Sequence, residues 1–437
     1  MARERFGSAL YLGAGLALVG AAGYAFVALT GHTLPPADAA AAASLYLLVN
    51  IIGPGLFSAL EQETSRSVSA EIAAGRDPRP VTRNACLLAG AMLLIVVAVL
   101  LAISPVLTGK VLAGRWGLFA ALLLSVATSA AVYVVRGLVG GRQRFTGYAA
   151  TLGAEGVARI LPCLVLAISG APNAVGYAVA FAAGSAFGAL AGLPWLRRPV
   201  EVSTLDGPRP AAGAMARALS YLVGGTLLML LAMNLAPIVV TPRLAADAPT
   251  AAAFASAFVL ARVPLFLFAP VQAVLLPALT RAAARGETGV VRARLRTILL
   301  AVAAIGLPGV LASFTVGPWA VQVLFGAQVR LSGAVVGLLG VSTVGLMVAQ
   351  VLQPGLVALG RHKIVTLAWA TGTVALVTLL ALPGDPLRAG VTGQLVASAL
   401  VVAIMLGALR RTLRTWENAR SAEASDPASG DENVIKR

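Results

Sequence analysis

Two arginines stand inside stretches that are otherwise apolar. Arg262 lies in FASAFVLARVPLFLFAPVQAVLLPAL, about eleven residues into an apolar stretch that begins at Ala251. At ~1.5 Å per helical residue this is a depth of ~16 Å, near the middle of a bilayer. An arginine there costs about 2.5–3.5 kcal/mol on insertion scales, so it must face a wet cavity or a partner. One chemistry that fits is anion binding, because a guanidinium grips phosphate with a bidentate fork. The other is a guanidinium satisfied by backbone carbonyls or polar neighbours. Arg159 sits at similar depth, with Glu155 one turn before it. Glu at i and Arg at i+4 is the favourable order for a helical pair. Either the two neutralise each other, or Glu155 is a protonatable coupling group and Arg159 a second substrate contact. Asn50 is near mid-depth of another apolar run; it either lines the same cavity or bonds a neighbouring helix. Asn234 and Gln272 carry the same two readings.

No constellation for catalysis or metal binding accompanies them. There is no Walker loop. His32 and His362 fall in loops expected on opposite sides of a membrane. Cys86 and Cys163 sit in apolar runs without a His or Cys partner. The expectation is a non-enzyme with no cofactor and no metal.

The elements that must position these residues are membrane helices. Of 437 residues, 59% are hydrophobic and 11% charged, against about 25% charged in soluble domains. Runs of ~20 apolar residues match the length needed to cross a bilayer. The chain is read as an all-α integral membrane protein of about twelve transmembrane helices. The spans are Gly7–Leu29, Ala41–Leu60, Asn84–Ser104, Trp116–Val135, Gly147–Ser169 and Asn173–Trp195. After a polar linker come Leu219–Thr241, Ala251–Leu276, Thr297–Pro318, Ser332–Leu352, Ile364–Leu382 and Gly390–Leu409. The basic start resembles a signal peptide, but its apolar run continues to Leu29, beyond an h-region of ~7–15 residues. It is read as a retained first helix.

The net charge of +16 would suggest nucleic acid in a soluble protein, but here it sits in short loops, where basic residues set topology. With the N-terminus inside, only Lys110, Arg115, Arg243, Arg330 and Arg388 of the 33 Lys and Arg fall in outer loops. Arg159 and Arg262 lie in spans, and the rest, Arg136 among them, are cytoplasmic. Both termini are therefore expected in the cytoplasm.

The two halves resemble each other. Gly137-Leu138-Val139 and Gly141-Arg142 match Gly355-Leu356-Val357 and Gly360-Arg361 with a one-residue gap. Ser44–Asn50 matches Ser256–Arg262 more weakly. Six helices separate the copies, so the repeat is parallel. The domains expected are 1–205 and 206–410, two six-helix bundles, and a disordered tail, 411–437. Pro54, within Gly53-Pro54-Gly55, breaks helix 2, and Pro264, Pro270 and Pro277 break helix 8, at corresponding places in the repeats. Such breaks mark either a substrate path or ordinary proline tolerance. Gly184, Gly188 and Gly192 form overlapping GxxxG units, a close-packing face. The polar run from Glu61 to Glu71 reads as a helix leaving the membrane. Its Glu61, Glu63 and Arg66 either close a cytoplasmic gate or form a solvated helix end.

The chain resembles the polysaccharide-type (Wzx-like) flippases of the MOP exporter superfamily over roughly residues 1–410. The resemblance rests on twelve helices in two halves, on SALEQETSRSVSAEIAAGR after helix 2, on RGLVGGRQRF after helix 4, and on the Arg262 helix. It implies a V of two bundles around a cavity lined by helices 1, 2, 7 and 8. It implies a polyprenyl phosphate- or pyrophosphate-linked glycan flipped across the cytoplasmic (inner) membrane by alternating access. It also implies that Arg262 faces the cavity. Lipid II flippases of the superfamily carry several cavity arginines, and helices 1 and 2 hold none here. Its multidrug antiporters use cavity carboxylates, which helices 1, 7 and 8 lack. Expected partners are the lipid-linked glycan, the bilayer, and glycosyltransferases or a polymerase of the same pathway, with the chain a monomer. A cation-coupled small-molecule exporter using Glu155 is the alternative, and a non-transporting envelope scaffold a third.

Overall fold

The computed structural model describes residues 2–199, 212–265, 279 and 287–425. Twelve of its helices are long and apolar enough to cross a membrane. The first half contains α1 (Ala2–Thr33), α2 (Pro36–Ile52), α3 (Ser58–Ala73), α4 (Arg79–Ala102), α5 (Trp116–Gly141), α6 (Phe145–Ile168) and α7 (Ala174–Arg197). The second contains α8 (Ala212–Arg243), α9 (Ala248–Ala261), α10 (Thr288–Thr315), α11 (Gly317–Phe325), α12 (Gly333–Ala358), α13 (His362–Ala381) and α14 (Pro386–Ser425). The boundary expected at 205/206, together with Gln272, Pro270 and Pro277, lies outside the described residues. The last helix runs past Leu409 to Ser425, so a tail beginning at 411 starts as helix.

The halves repeat each other in packing. In the first, α1 packs on α6, α6 on α7, α5 on α7 and α4 on α5. In the second, α8 packs on α13, α13 on α14, α12 on α14 and α10 on α12. The equivalent helices α4 and α10 both stand at the periphery, presenting Leu94 (71% exposed) and Leu311 (67%) outward. In a bilayer these side chains meet acyl chains rather than water.

The repeated loop motif has a different register from the one its glycines suggest. After α5, the N–H groups of Gln143 and Arg144 donate to Gly140 O (2.9 Å) and Val139 O (3.1 Å). After α12, those of Gly360 and Arg361 donate to Val357 O (3.0 Å) and Leu356 O (2.8 Å). Both are Schellman caps, whose turn residue is left-handed: Gln143 at φ 57° and Gly360 at φ 74°. Gln143, not Gly141, is the counterpart of Gly360. Gly137 and Gly141 have another role. A Cβ on them would stand 2.9 Å from Glu61 O and 2.7 Å from Val68 Cβ, so they seat α3 against α5.

Helix 2 is not broken at Gly53-Pro54-Gly55. Pro54 offers no N–H to the carbonyl four residues back, and the turn widens into a π-helix over Gly53–Phe57 that leads straight into α3. Helix 8 does break, slightly ahead of the proline expected to break it: α9 ends at Ala261 and Arg262 occupies the C-cap, two residues before Pro264.

The halves close on the face that is poor in Lys and Arg. Alanines make this possible, because small residues let helices approach. Ala40–Ala43 of α2 and Ala253, Ala255 and Ala257 of α9 are all buried, and α2 packs on α9. At the rim, a Cβ on Gly31 would lie 2.0 Å from the backbone oxygen of Phe325, and Gly326 follows at φ 65°. His32 Nε2 stands 3.1 Å from Val323 O. The substitution Gly31→Ala therefore must push the halves apart here. An overpacking cost of about 1–3 kcal/mol borne only by the closed state corresponds to a shift of roughly 5–150-fold. The measurement is maleimide labelling, from this face, of Tyr24→Cys in a background with Cys86 and Cys163 replaced by Ser. Faster labelling with Gly31→Ala is expected; an unchanged rate rejects the seal.

Candidate functional site

Beneath this seal, a cavity of about 230 Å³ lies between the halves. Its walls come from α1 (Tyr24), α2 (Tyr46, Leu47, Asn50), the π-turn (Pro54), α8 (Leu230, Met233, Asn234), α9 and its cap (Val259, Arg262) and α12 (Gln350), with Leu265 below. These are helices 1, 2, 7 and 8 with a contribution from helix 10. Arg262, Asn50 and Pro54 thus meet at one place, and Asn234 joins them.

Arg262 is 7% exposed. Its Nη1 donates to Thr343 Oγ1 (3.2 Å) and its Nη2 to Met233 O (3.0 Å). Its guanidinium carbon stands 4.3 Å over the Phe258 ring, a cation–π geometry. Nε has no hydrogen-bond partner, and no carboxylate pairs with this side chain among the described residues. The guanidinium has five donors, so capacity remains for an anion. Both readings of this residue are thus partly realised: it leans on a backbone carbonyl and a hydroxyl, yet it borders the cavity as an uncompensated cation. The helix break explains its position. A C-cap residue is released from the regular ladder, and a side chain there can turn toward α8 and α12 together.

Asn50 and Asn234 face the same space from the two halves. Each amide donates to the carbonyl four residues back, Asn50 to Tyr46 (2.8 Å) and Asn234 to Leu230 (3.0 Å). They are polar lining, not helix-to-helix bonds. Tyr24, Tyr46 and Gln350 were not singled out from sequence; Tyr and Gln at helical spacing in apolar runs carry no signal that separates cavity lining from core.

Arg159 and Glu155 do not line this cavity. They form a buried network inside the first half. Glu155 Oε1 pairs with Arg159 Nη2 (2.6 Å) and accepts from Ser185 Oγ (2.8 Å). Its other oxygen pairs with Arg136, whose Nε donates to Thr151 Oγ1 (3.0 Å). Arg159 also reaches Ser185 (2.9 Å) and lies 4.3 Å over Phe181. Phe181 in turn packs on Tyr46, centroids 5.8 Å apart, so one layer of rings separates Arg159 from the cavity. Arg136 corrects an expectation. It is no cytoplasmic loop residue but a buried one, 5% exposed, within α5. The sequence signal was the apolar stretch after it, Gly137–Gly141, which extends the helix. The GxxxG face of α7 makes room for this network: a Cβ on Gly184 would stand 2.3 Å from Arg159 Cγ, and one on Gly188 3.1 Å from Glu155 Cβ.

Among the described residues, Glu61, Glu63 and Arg66 make no bridge between the halves. Glu61 accepts from Tyr148 of α6. Glu63 is bound by Arg66 at 2.6 Å along the same helix and by Ser67 at 3.0 Å. Arg66 is exposed and Glu63 buried, so the pair tethers the surface of α3.

No family model matches this sequence. An uncharacterized protein of Mycobacterium tuberculosis is 27% identical over 420 residues, covering 93% of this chain and 92% of that protein. Among solved structures, the inward-facing conformation of a multidrug resistance MATE family transporter of the MOP superfamily superposes with a TM-score of 0.75. It is 15% identical and the match covers 92% of this chain and 95% of that one. The lipid II flippase MurJ, in an inward closed conformation, superposes with a TM-score of 0.64 at 11% identity, covering 93% and 90%. The chain is a multi-pass membrane protein, and its fold is the one these two solved structures share.

Proposed function

We propose that this protein is a flippase that moves a polyprenyl phosphate- or pyrophosphate-linked glycan from the cytoplasmic to the outer leaflet by alternating access. The observation that carries this reading is the charge of the central cavity: Arg262 borders it, and none of the described lining residues is a carboxylate. A desolvated cation without a counter-ion favours an anion, and phosphate joined to a lipid supplies one in the membrane. The cavity of about 230 Å³ suits the phosphate group; the glycan enters when the halves part. The sealed charge-poor face agrees with loading from the basic, cytoplasmic side expected from the positive-inside rule. The lipid chain stays in the bilayer while the head passes between the halves.

The second reading, a cation-coupled small-molecule exporter, draws on the multidrug transporters that share the fold. It needs a carboxylate that a cation or proton can reach. Glu155, its candidate, is held by two arginines behind a layer of rings. The two readings separate in vesicles reconstituted with the full chain. A fluorescent polyprenyl phosphate-linked saccharide should become accessible to an impermeant quencher, and organic-cation efflux should not respond to a sodium or proton gradient. Gradient-driven efflux with an unmoved glycolipid favours the exporter. In cells, loss of the protein should leave lipid-linked oligosaccharide on the cytoplasmic leaflet.

A further inference from the structure

A second cavity shares no lining residue with the first among the described residues. It occupies about 650 Å³ between α10 and α14, on the charge-rich face, within the ~300–1,000 Å³ of ligand sites. Both helices pack on α12, and the trough between them is floored by Leu352 of α12. Its mouth carries Arg292 and Arg296 of α10 and Arg410 and Arg414 of α14. Each pair is spaced i, i+4, so both members share one helix face. All four side chains are exposed. Like charges at this spacing weaken a helix, and among the described residues no carboxylate lines the trough. Deeper in, the walls are leucines, among them Leu299 and Leu406.

We infer that this trough binds an anionic phospholipid, its headgroup phosphate on the arginines and one acyl chain along the leucines. The charge pattern selects this occupant. A soluble anion would use only the mouth, and a neutral lipid only the floor. An amphiphile with an anionic head uses both, and basic pockets between transmembrane helices are suited to such heads. The lipid would tie the peripheral helix α10 to α14. The inference is independent of the substrate proposed for the central cavity.

The test is native mass spectrometry of the full chain in detergent, titrated with phosphatidylglycerol and with phosphatidylcholine. One phosphatidylglycerol should be retained at concentrations where phosphatidylcholine is not. Arg296→Gln with Arg414→Gln should weaken retention at least tenfold, while Arg79→Gln with Arg83→Gln, elsewhere on the same face, leaves it unchanged. Leu406→Trp, which fills the trough and keeps every charge, should weaken it likewise and guards against misfolding of the arginine variant. Equal retention by all variants overturns the inference. So does full displacement by glycerol phosphate, which has the head alone. Retention seen only after removal of residues 426–437 also overturns it, by giving the trough to the acidic end of the chain.

Discussion

Replacing Arg262 with Ala is expected to abolish most transport while leaving a folded, somewhat less stable protein. The unequal effects follow from the surroundings of the side chain. In the resting protein Arg262 gains one bond to Thr343 Oγ1, one to Met233 O and a stack on Phe258. Hydrogen bonds from a charged group contribute about 1.5–3 kcal/mol each net, and a cation–π contact about 0.5–2 kcal/mol. Against this stands the cost of about 2.5–3.5 kcal/mol for an arginine at mid-bilayer. Removing the side chain leaves little behind that needs it, since Thr343 Oγ1 also donates to Leu339 O at 3.0 Å. For a phosphate, however, the loss is a charge-assisted bond of about 1.5–3 kcal/mol, or one to two orders of magnitude in rate where that contact is made on the way across. Arg262→Lys should fall between, keeping the charge and losing the fork. Melting temperature and flipping rate are measured on the same preparations. A lower melting temperature with unchanged flipping would make Arg262 a structural residue.

The reverse pattern is expected at Glu155. Its carboxylate is 4% exposed and serves two guanidiniums that are 6% and 11% exposed. Taking away one partner of a buried ion pair costs about 3–5 kcal/mol, because the remaining charge is left desolvated. In Glu155→Gln both Arg136 and Arg159 lose their counter-charge at once. Denaturation should occur at clearly lower temperature, and yield in the membrane should fall. Substituting Arg136→Met alongside should recover part of the stability, since only Arg159 then remains, on Ser185 and Phe181. If Glu155→Gln folds normally and instead loses a gradient-dependent transport activity, the exporter reading is restored with Glu155 as its coupling group. The same double change at Arg136 separates the two outcomes, because a coupling role gains nothing from it.

How legible the site was depended on whether a residue could be judged by depth alone. Arg262 was found by counting from Ala251, because an intramembrane arginine stands out against alanine, leucine and valine. Asn50 was found through its alignment with Arg262, and both border the cavity. Arg159 looked equivalent by the same measure and is not. Depth along a helix says nothing of azimuth, and the face of α6 that carries Arg159 turns to α7. Arg136 was missed for a related reason. A charged residue near the end of an apolar run reads as loop, and only the carboxylate waiting on α6 keeps it inside. The motif Gly137–Arg142 was recognised as a repeat but set in the wrong register, because glycine identity is not what ends the helix. The cap's hydrogen bonds decide that, and Gln143 takes the left-handed position without being a glycine.

The amino-acid sequence by itself determined the membrane class, the twelve spans, the duplication and the pattern of basic loops. Each of these is a property of local composition and periodicity, with an energy set by lipid and water alone. Only the tertiary structure decided which polar side chains share a space. Arg262 meets Thr343 and Met233 from helices distant in sequence, and Glu155 gathers two arginines and a serine from three helices. In lipid, helix contacts are selected by close fit and polar satisfaction rather than by hydrophobicity, and those depend on the rotation of every helix at once.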